Sequence, residues 1–225
     1  MKDLTVIYLT ASLIPESFAQ YQRHILLEAI ENSPLISVSR KPLNFGINIL
    51  DDDEKGVNNI YRQMLRAAKV AKTPYMAIAE DDTLYPKEHF TSYRPERDTF
   101  AYNFNRLSLF TWGVPMYSWF HRISNCGLIA PRKLAVEALT ERFKKYPNGT
   151  PPELTGEVGR PTIERRLGVS HHKIINFETM VSVLRFDHDF GTDSLAKSHN
   201  KRLGAMRSYH VPTWGKAKDI VKKFR

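Results

Sequence analysis

The chain has 225 residues, 42% of them hydrophobic and 25% charged, a composition that predicts one soluble domain with a substantial core. No apolar run approaches the ~20 residues needed to cross a bilayer, and a lone cysteine, Cys126, excludes an intrachain disulfide framework and a thiolate-only metal centre. The formal net charge is +9, of which the segment 196–225 supplies nearly all: nine Lys/Arg against the single acid Asp219, a balance suited to phosphate-bearing partners. A reducing, cytosolic location is the expectation.

The N-terminal "MKDLTVIYLT" carries charge and no small-residue cleavage site, so it reads as a first strand and not a signal peptide. Leu4–Thr10 is near-continuously apolar, as in a strand buried on both faces. Pro15 then opens a helix whose stripe is Phe18, Tyr21, Ile25 and Ala29. Leu35–Ser39 is a second short strand, and "DDDE" at Asp51–Glu54 reads as a solvated turn because no buried strand precedes it. "NNIYRQMLRAAKVAK" has helical spacing at Ile60, Met64, Leu65, Ala68 and Ala71, and Tyr75–Ala79 is a third buried strand. Strand, helix, strand, helix, strand predicts βαβ units and a mainly parallel sheet. Ligands of such sheets bind at the carboxyl ends of the strands.

The third strand ends in Glu80, Asp81 and Asp82. Like charges crowded at a strand end repel unless water or a cation compensates. Carboxylates in that position suit Mg²⁺ or Mn²⁺, hard cations that keep open positions for substrate phosphates. No Gly-x-x-x-x-Gly-Lys loop is present, which excludes a P-loop nucleotide site.

From Phe90 to Arg122 the chain holds ten of its 25 aromatics, interleaved with Arg94, Arg97, Arg106 and Arg122. Phe100, Tyr102 and Phe104 alternate as on a strand face, whereas "WGVPMYSWF" is too irregular for a standard element. A short strand at "CGLIAP" and an amphipathic helix at "RKLAVEALTERFKKY" follow. "PNGTPPELTGEVGRP" has the length of a functional loop, and "TIERRLG" is a short helix closed by Gly168. "HHKIINF" and "MVSVLRFDHDF" are late strands, and "GKAKDIVKKF" is a terminal helix with Ala217, Ile220, Val221 and Phe224 inward. Cys126 reads as a small buried residue. His171 and His172, adjacent on a strand, would face opposite ways and cannot serve one site.

"YLTAS" followed by "GVNNIYRQMLRAAKVAKTPYMAIAEDD" resembles the nucleotide-sugar half of GT-A-fold glycosyltransferases, especially the large inverting family with short catalytic domains. The likeness continues more weakly through "NCGLIAPRK", "ERRLG" and "FDHDFG". It implies a single Rossmann-like α/β domain with a mixed, mainly parallel sheet flanked by helices. Residues 1–89 would bind the nucleotide sugar, residues 90–195 the acceptor, and residues 196–225 would form a basic lid and helix. A divalent cation, Mn²⁺ or Mg²⁺, would bridge the two phosphates of a nucleoside-diphosphate sugar, a UDP-sugar being the expected donor.

By the same resemblance Asp82 is the metal ligand, and Glu80 or Asp81 contacts ribose or a metal-bound water. Glu80 departs from the Asp-x-Asp pattern. His188 stands where a late-strand ligand or phosphate contact falls, and Thr10, Ala11, Ser12, Gly56, Asn58 and Asn59 stand where the base and ribose are read. For the two Asn residues helix capping is the competing role. Glu157 and Glu164 are the candidate general bases, neither within the family's usual Glu-Asp pair.

Size and charge resemble the phage sugar transferases that decorate hydroxymethylated pyrimidines, which makes DNA the expected acceptor. A bacterial glycan or lipid-linked acceptor is the alternative. Of other classes, a non-catalytic nucleic-acid-binding protein stays open. A sugar nucleotidyltransferase lacks its Gly-rich phosphate loop in "TASLIPES", and a nuclease fits the βαβ run poorly.

Overall fold

A computed structural model describes residues 3–191 and 194–224; Arg225 of the basic tail lies outside them. In chain order the first half runs β1 (Leu4–Thr10), α1 (Glu16–Ile30), β2 (Leu35–Ser39), β3 (Ile47–Leu50), α2 (Val57–Val70), β4 (Tyr75–Glu80), β5 (Thr83–Leu84) and α3 (Lys87–Thr91). The second half runs β6 (Thr99–Asn103), β7 (Arg106–Phe110), β8 (Tyr117–Trp119), β9 (Leu128–Pro131), α4 (Arg132–Lys145), α5 (Pro161–Leu167), β10 (Lys173–Phe177) and β11 (Val183–Asp187). It ends with α6 (Ser194–Lys197), β12 (Met206–Ser208), β13 (His210–Val211), β14 (Gly215–Lys216) and α7 (Ala217–Lys222).

The larger sheet has the order β10-β6-β9-β4-β1-β2-β3. Its pairs are parallel except where β9 runs antiparallel to β4 and β6. The first strand shows why its sequence is apolar at every position. Leu4, Val6 and Tyr8 pack beneath α1 against Leu26, Ala29 and Ile30. Ile7 and Leu9 turn the other way, toward Tyr61, Met64 and Ala68 of α2 and Leu134, Ala135 and Leu139 of α4. Burying both faces removes the period-two alternation, and each such aliphatic side chain contributes roughly 1.5–3 kcal/mol of transfer free energy.

A second sheet, β12-β8-β7-β11-β5, packs Leu107, Leu109, Tyr117, Leu184 and Phe186 against Phe18 and α7. The expected inward face of the terminal helix (Ala217, Ile220, Val221, Phe224) is buried there. Chain passes from the first sheet to the second through the turn between β4 and β5, which is where the three acids lie.

Four local readings change. The buried stripe of α1 includes Gln22 and Leu26, while Tyr21 and Ile25 are only half-buried; Gln22 is inside because its Nε2 donates to the carbonyls of Glu80 (3.3 Å) and Thr83 (2.9 Å). Asp51 is not solvated: a strand, β3, does precede it, and it is 3% exposed, while Asp52, Asp53 and Glu54 are exposed. The irregular aromatic stretch still supplies the three-residue β8. His171 and His172 precede β10 rather than lying on it, and the His172 backbone N–H and Nδ1 both meet Glu164 (2.9 Å each). Of the ten central aromatics, five are buried (Phe90, Phe100, Tyr102, Phe110, Tyr117), so half are core.

Glu164 is 1% exposed and also accepts from the Gly159 N–H (2.8 Å), so it pins α5 to the loop before it and to the approach of β10. Burial opposes its charge, but the His172 bonds hold its carboxyl below the ordinary range, and the same carboxylate raises His172 above its ordinary 6.5. The raised His172 contributes stability that is full below 6.5 and lost as pH rises through its folded value; the lowered Glu164 contributes stability lost as pH falls through its own. We expect Glu164→Gln to cost about 2 kcal/mol. In thermal melts of Glu164→Gln, His172→Gln and the double variant, the coupling should be larger at pH 5.5 than at pH 8.5; equal coupling at both pH values refutes the ion pair.

Candidate active site

The acid turn is held from four sides before any ligand is considered. β4 pairs with β1 in parallel register, Leu9 opposite Glu80, and the Asp81 N–H donates to the Leu9 carbonyl (3.2 Å). The Tyr85 hydroxyl accepts from the Glu80 N–H (3.0 Å), and the Phe186 N–H donates to the Asp82 carbonyl (2.8 Å). Gln22 closes the fourth side.

Side chains on this turn share too little positive charge. Asp82 Oδ2 faces Arg185 Nε at 3.3 Å and His188 Nε2 at 3.5 Å, and Oδ1 accepts from the Thr83 hydroxyl (2.8 Å). Burial opposes its ionisation, but the Arg185 guanidinium, then His188 and Thr83, outweigh it and hold Asp82 well below the usual carboxylate range. Asp81 accepts the Thr10 hydroxyl (2.5 Å); burial and the Asp82 charge push it up to about 7. Glu80 is likewise raised, by burial first and Asp82 second. Among the described residues Arg185 and His188 reach Asp82, while the half-buried Asp81 and Glu80 have no cationic side chain within 4 Å, so ionising both calls for added positive charge. That donor set fits a hard divalent cation.

The turn opens on a cavity of about 300 Å³. Thr10, Ala11, Asn59, Glu80, Asp81, Asp82 and His188, all expected from the sequence, line it together. Arg40, Lys55, Gln63 and Arg185, which carry no signal of the site in the motifs above, share the wall, and Lys197 of the expected basic lid reaches it. Arg185 stands out only locally, as an arginine within the apolar strand "VLRFD", between the buried Leu184 and Phe186.

Ser12 and Asn58 do not line this cavity. Ser12, at φ 54°, donates its N–H to Thr10 Oγ1 (2.9 Å) and so orients the hydroxyl that meets Asp81. Asn58 ties α2 to the long loop: Nδ2 donates to the Thr150 carbonyl (2.9 Å) and Oδ1 accepts from the Thr150 N–H (3.0 Å) and hydroxyl (2.9 Å). Neither Asn caps α2. Asn59 Nδ2 donates to Asp51 Oδ2 (2.7 Å), beside Gln63 and Arg66, which bond the same carboxylate.

Among the described residues, Asp51, Asp52 and Asp53 form the one group of three potential ligand atoms within 4.8 Å of one another. Asp51 is already committed to Asn59, Gln63 and Arg66, so this group reads as the brace of one cavity wall. The acid turn forms no such trio among the described residues. His188 Nδ1 accepts from the Phe190 N–H (3.1 Å), so the neutral ring carries its proton on Nε2, toward Asp82. In this arrangement His188 is a donor, and a lone pair for a metal would require the ring to give up the Phe190 bond.

A second cavity of about 590 Å³ is lined by Arg106, Arg122, Arg160, Glu157, Asn176 and again Arg185, so the two cavities share one side chain. Glu157 is therefore beside a cavity, its side chain 19% exposed and 3.2 Å from Arg160. Glu164 is not: its oxygens are taken by Gly159 and His172. Arg94 is likewise absent from the wall, bound to Asp3 (2.8 Å). Cys126 is buried, and burial pushes its thiol up to about 11, leaving it unreactive.

No protein-family model and no curated protein matches the sequence. Solved structures do. A glycosyltransferase involved in glycosylation of the major capsid of PBCV-1 aligns at 11% identity over 81% of this chain and 91% of that one, with a TM-score of 0.50. The catalytic domain of Drosophila β1,4-galactosyltransferase 7 aligns at 10% identity over 100% of this chain and 81% of that one, TM-score 0.44. The chain spans half of the bifunctional IspDF of Campylobacter jejuni, at 11% identity over 79% of its own length, TM-score 0.44. At these identities the likeness concerns architecture alone: this chain shares a GT-A-type α/β fold with the PBCV-1 glycosyltransferase.

Proposed function

We propose that the chain is a metal-dependent glycosyltransferase that moves a sugar from a nucleoside-diphosphate sugar, a UDP-sugar first among candidates, to an acceptor hydroxyl. The observation that carries this reading is the half-buried acid turn at the carboxyl ends of β1 and β4, opening on a cavity that also holds Arg185, His188, Arg40, Lys55 and Lys197. In it, Asp82 with Asp81 holds Mn²⁺ or Mg²⁺, which when bound supplies Lewis acidity toward the departing diphosphate. Arg185 and Lys197 add fixed positive charge for the diphosphate oxygens, and His188 Nε2–H is a further donor. Thr10, Ala11 and Asn59 line the part assigned to the nucleoside, Thr10 also fixing Asp81. Glu80, the departure from Asp-x-Asp, is held by its backbone and completes the acidic wall.

The second cavity is the acceptor's place in this reading, and Glu157 is the proposed general base. As the acceptor oxygen bonds to the anomeric carbon and the carbon–oxygen bond to the diphosphate breaks, the hydroxyl proton passes to Glu157. Glu164 is assigned the structural role its bonds describe. For the acceptor itself, a hydroxylated or hydroxymethylated pyrimidine in DNA is the first to test. What supports it is charge: Arg202, Arg207, Lys216, Lys218, Lys222 and Lys223 of the tail are exposed. A glycan or lipid-linked acceptor is the alternative; no helix among the described residues is long and apolar enough to cross a membrane. A cytosolic location belongs to the same proposal.

Thermal shifts with UDP-, GDP- and dTDP-sugars, with and without Mn²⁺, test the donor. We expect a shift that needs both components and is abolished in Asp82→Ala; metal-dependent binding that survives this change overturns the assignment. Product analysis should find nucleoside diphosphate, whereas pyrophosphate would indicate a nucleotidyltransferase. Glu157→Gln should lower kcat by 10²–10⁴ while leaving donor affinity within twofold, and an unchanged kcat removes Glu157 as base. Duplex DNA should retain the protein at low salt and release it as salt rises; no retention at low salt eliminates the DNA acceptor.

A further inference from the structure

The second cavity carries more charge than a neutral acceptor requires. Its wall sets four guanidiniums, those of Arg106, Arg122, Arg160 and Arg185, against the single carboxylate of Glu157. Arg185 is shared with Asp82 (3.3 Å) and Arg160 with Glu157 (3.2 Å).

Arg106 is different. It opens β7, with its carbonyl accepting the Phe120 N–H (3.1 Å) and its backbone set opposite Val183 of β11. Its side chain is 1% exposed, and its Nε and Nη1 are both buried with no hydrogen-bond partner among the described residues. The Phe120 ring lies 5.8 Å from the guanidinium. Burial, with Arg185 and Arg122 acting the same way, outweighs the opposing pull of Cys126 and Asp187 and brings Arg106 below the ordinary guanidinium range. Leaving a buried cation's donors unmet is unfavourable. An oxyanion seated in the cavity supplies counter-charge to the four guanidiniums that line it.

We propose that this cavity binds a phosphate group carried by the acceptor, gripped by Arg106 from below and by Arg122 and Arg160 from the rim. A phosphomonoester offers three strong acceptor oxygens in a tetrahedral array, and a backbone diester two beside its bridging oxygens, so guanidiniums approaching from different directions can each donate to it. A carboxylate offers two oxygens in one plane, a poorer match to donors arriving from three directions. Because Arg185 lines both cavities, this phosphate and the donor diphosphate lie on either side of one side chain, which sets how far the acceptor hydroxyl stands from the sugar. The assignment rests on the glycosyltransferase reading for the word acceptor; the phosphate site itself rests on the arginines. The phosphate has two sources, a small phosphomonoester or the backbone of a nucleic-acid strand.

Calorimetric titration of the full chain at constant ionic strength separates the possibilities, using glucose 6-phosphate, glucose, glucuronate and a single-stranded oligonucleotide without terminal phosphates. We expect glucose 6-phosphate to bind and glucose not to bind. Arg122→Ala and Arg160→Ala, both at exposed positions, should each weaken binding at least fivefold, and Arg106→Gln more. An oligonucleotide that binds with the same variant pattern identifies a strand as the source, and glucose 6-phosphate alone identifies a small molecule. Glucuronate binding as tightly as glucose 6-phosphate overturns the proposal, as does phosphate binding unchanged in both rim variants, or none. A parallel titration with UDP-sugar and Mn²⁺ keeps the two failures distinct. Asp82→Ala should lose the donor and keep glucose 6-phosphate, while a protein that binds glucose 6-phosphate and no nucleotide sugar refutes the donor reading alone.

Discussion

Three carboxylates crowd the turn that joins two sheets, Asp82 buried and Glu80 and Asp81 half-buried, and the rest of the molecule is arranged to keep them there. Charge inside a protein is tolerated when partners or a shifted protonation state compensate it. Here compensation is partial: Arg185 and His188 serve Asp82, Thr10 serves Asp81, and Glu80 is fixed through its backbone by Tyr85 and Gln22. The same backbone also links the sheets, since the Asp82 carbonyl receives the Phe186 N–H. Architecture and chemistry thus converge on three residues.

Around that turn the residues that break local rules cluster. Gln22 occupies a helix stripe reserved for apolar side chains, Arg185 and Arg106 lie in strands among buried leucines and phenylalanines, and Asp51 is buried after a strand. Each is a local inconsistency that a packing-only core would not contain, and such inconsistencies concentrate at functional sites. Their positions define two cavities with one common wall, the first acidic with a basic rim, the second strongly basic.

The parts of this arrangement that could be read from sequence share a physical cause. Leu4–Thr10 and Tyr75–Ala79 were legible because burial on both faces leaves an uninterrupted apolar run, and two such runs separated by helical spacing imply parallel neighbours. Their shared carboxyl edge then located Glu80–Asp82. Arg185 was not legible, because a single charged residue in a late strand has no periodic signature, and its partner lies more than a hundred positions earlier in the chain. Asp51 was misread because the four-residue β3 before it is half-exposed and gives no apolar run. Glu157 and Glu164 were equivalent on sequence. Only three-dimensional placement shows one beside a cavity and the other enclosed by Gly159 and His172.

The basic tail gains a different meaning from its anchoring. Lys201 is buried against Asp187, β12 is paired with β8, and a side chain at Gly204 would collide with the Trp119 carbonyl, 2.0 Å from where its first carbon would sit. The tail is thus woven into the second sheet instead of trailing from it as an arm. A partner attracted by its charge meets cations at fixed spacings and pays little ordering entropy on the protein's side. Recognition by that surface is accordingly a matter of matching a spacing, so that two polyanions of equal charge but different phosphate geometry are distinguishable to it.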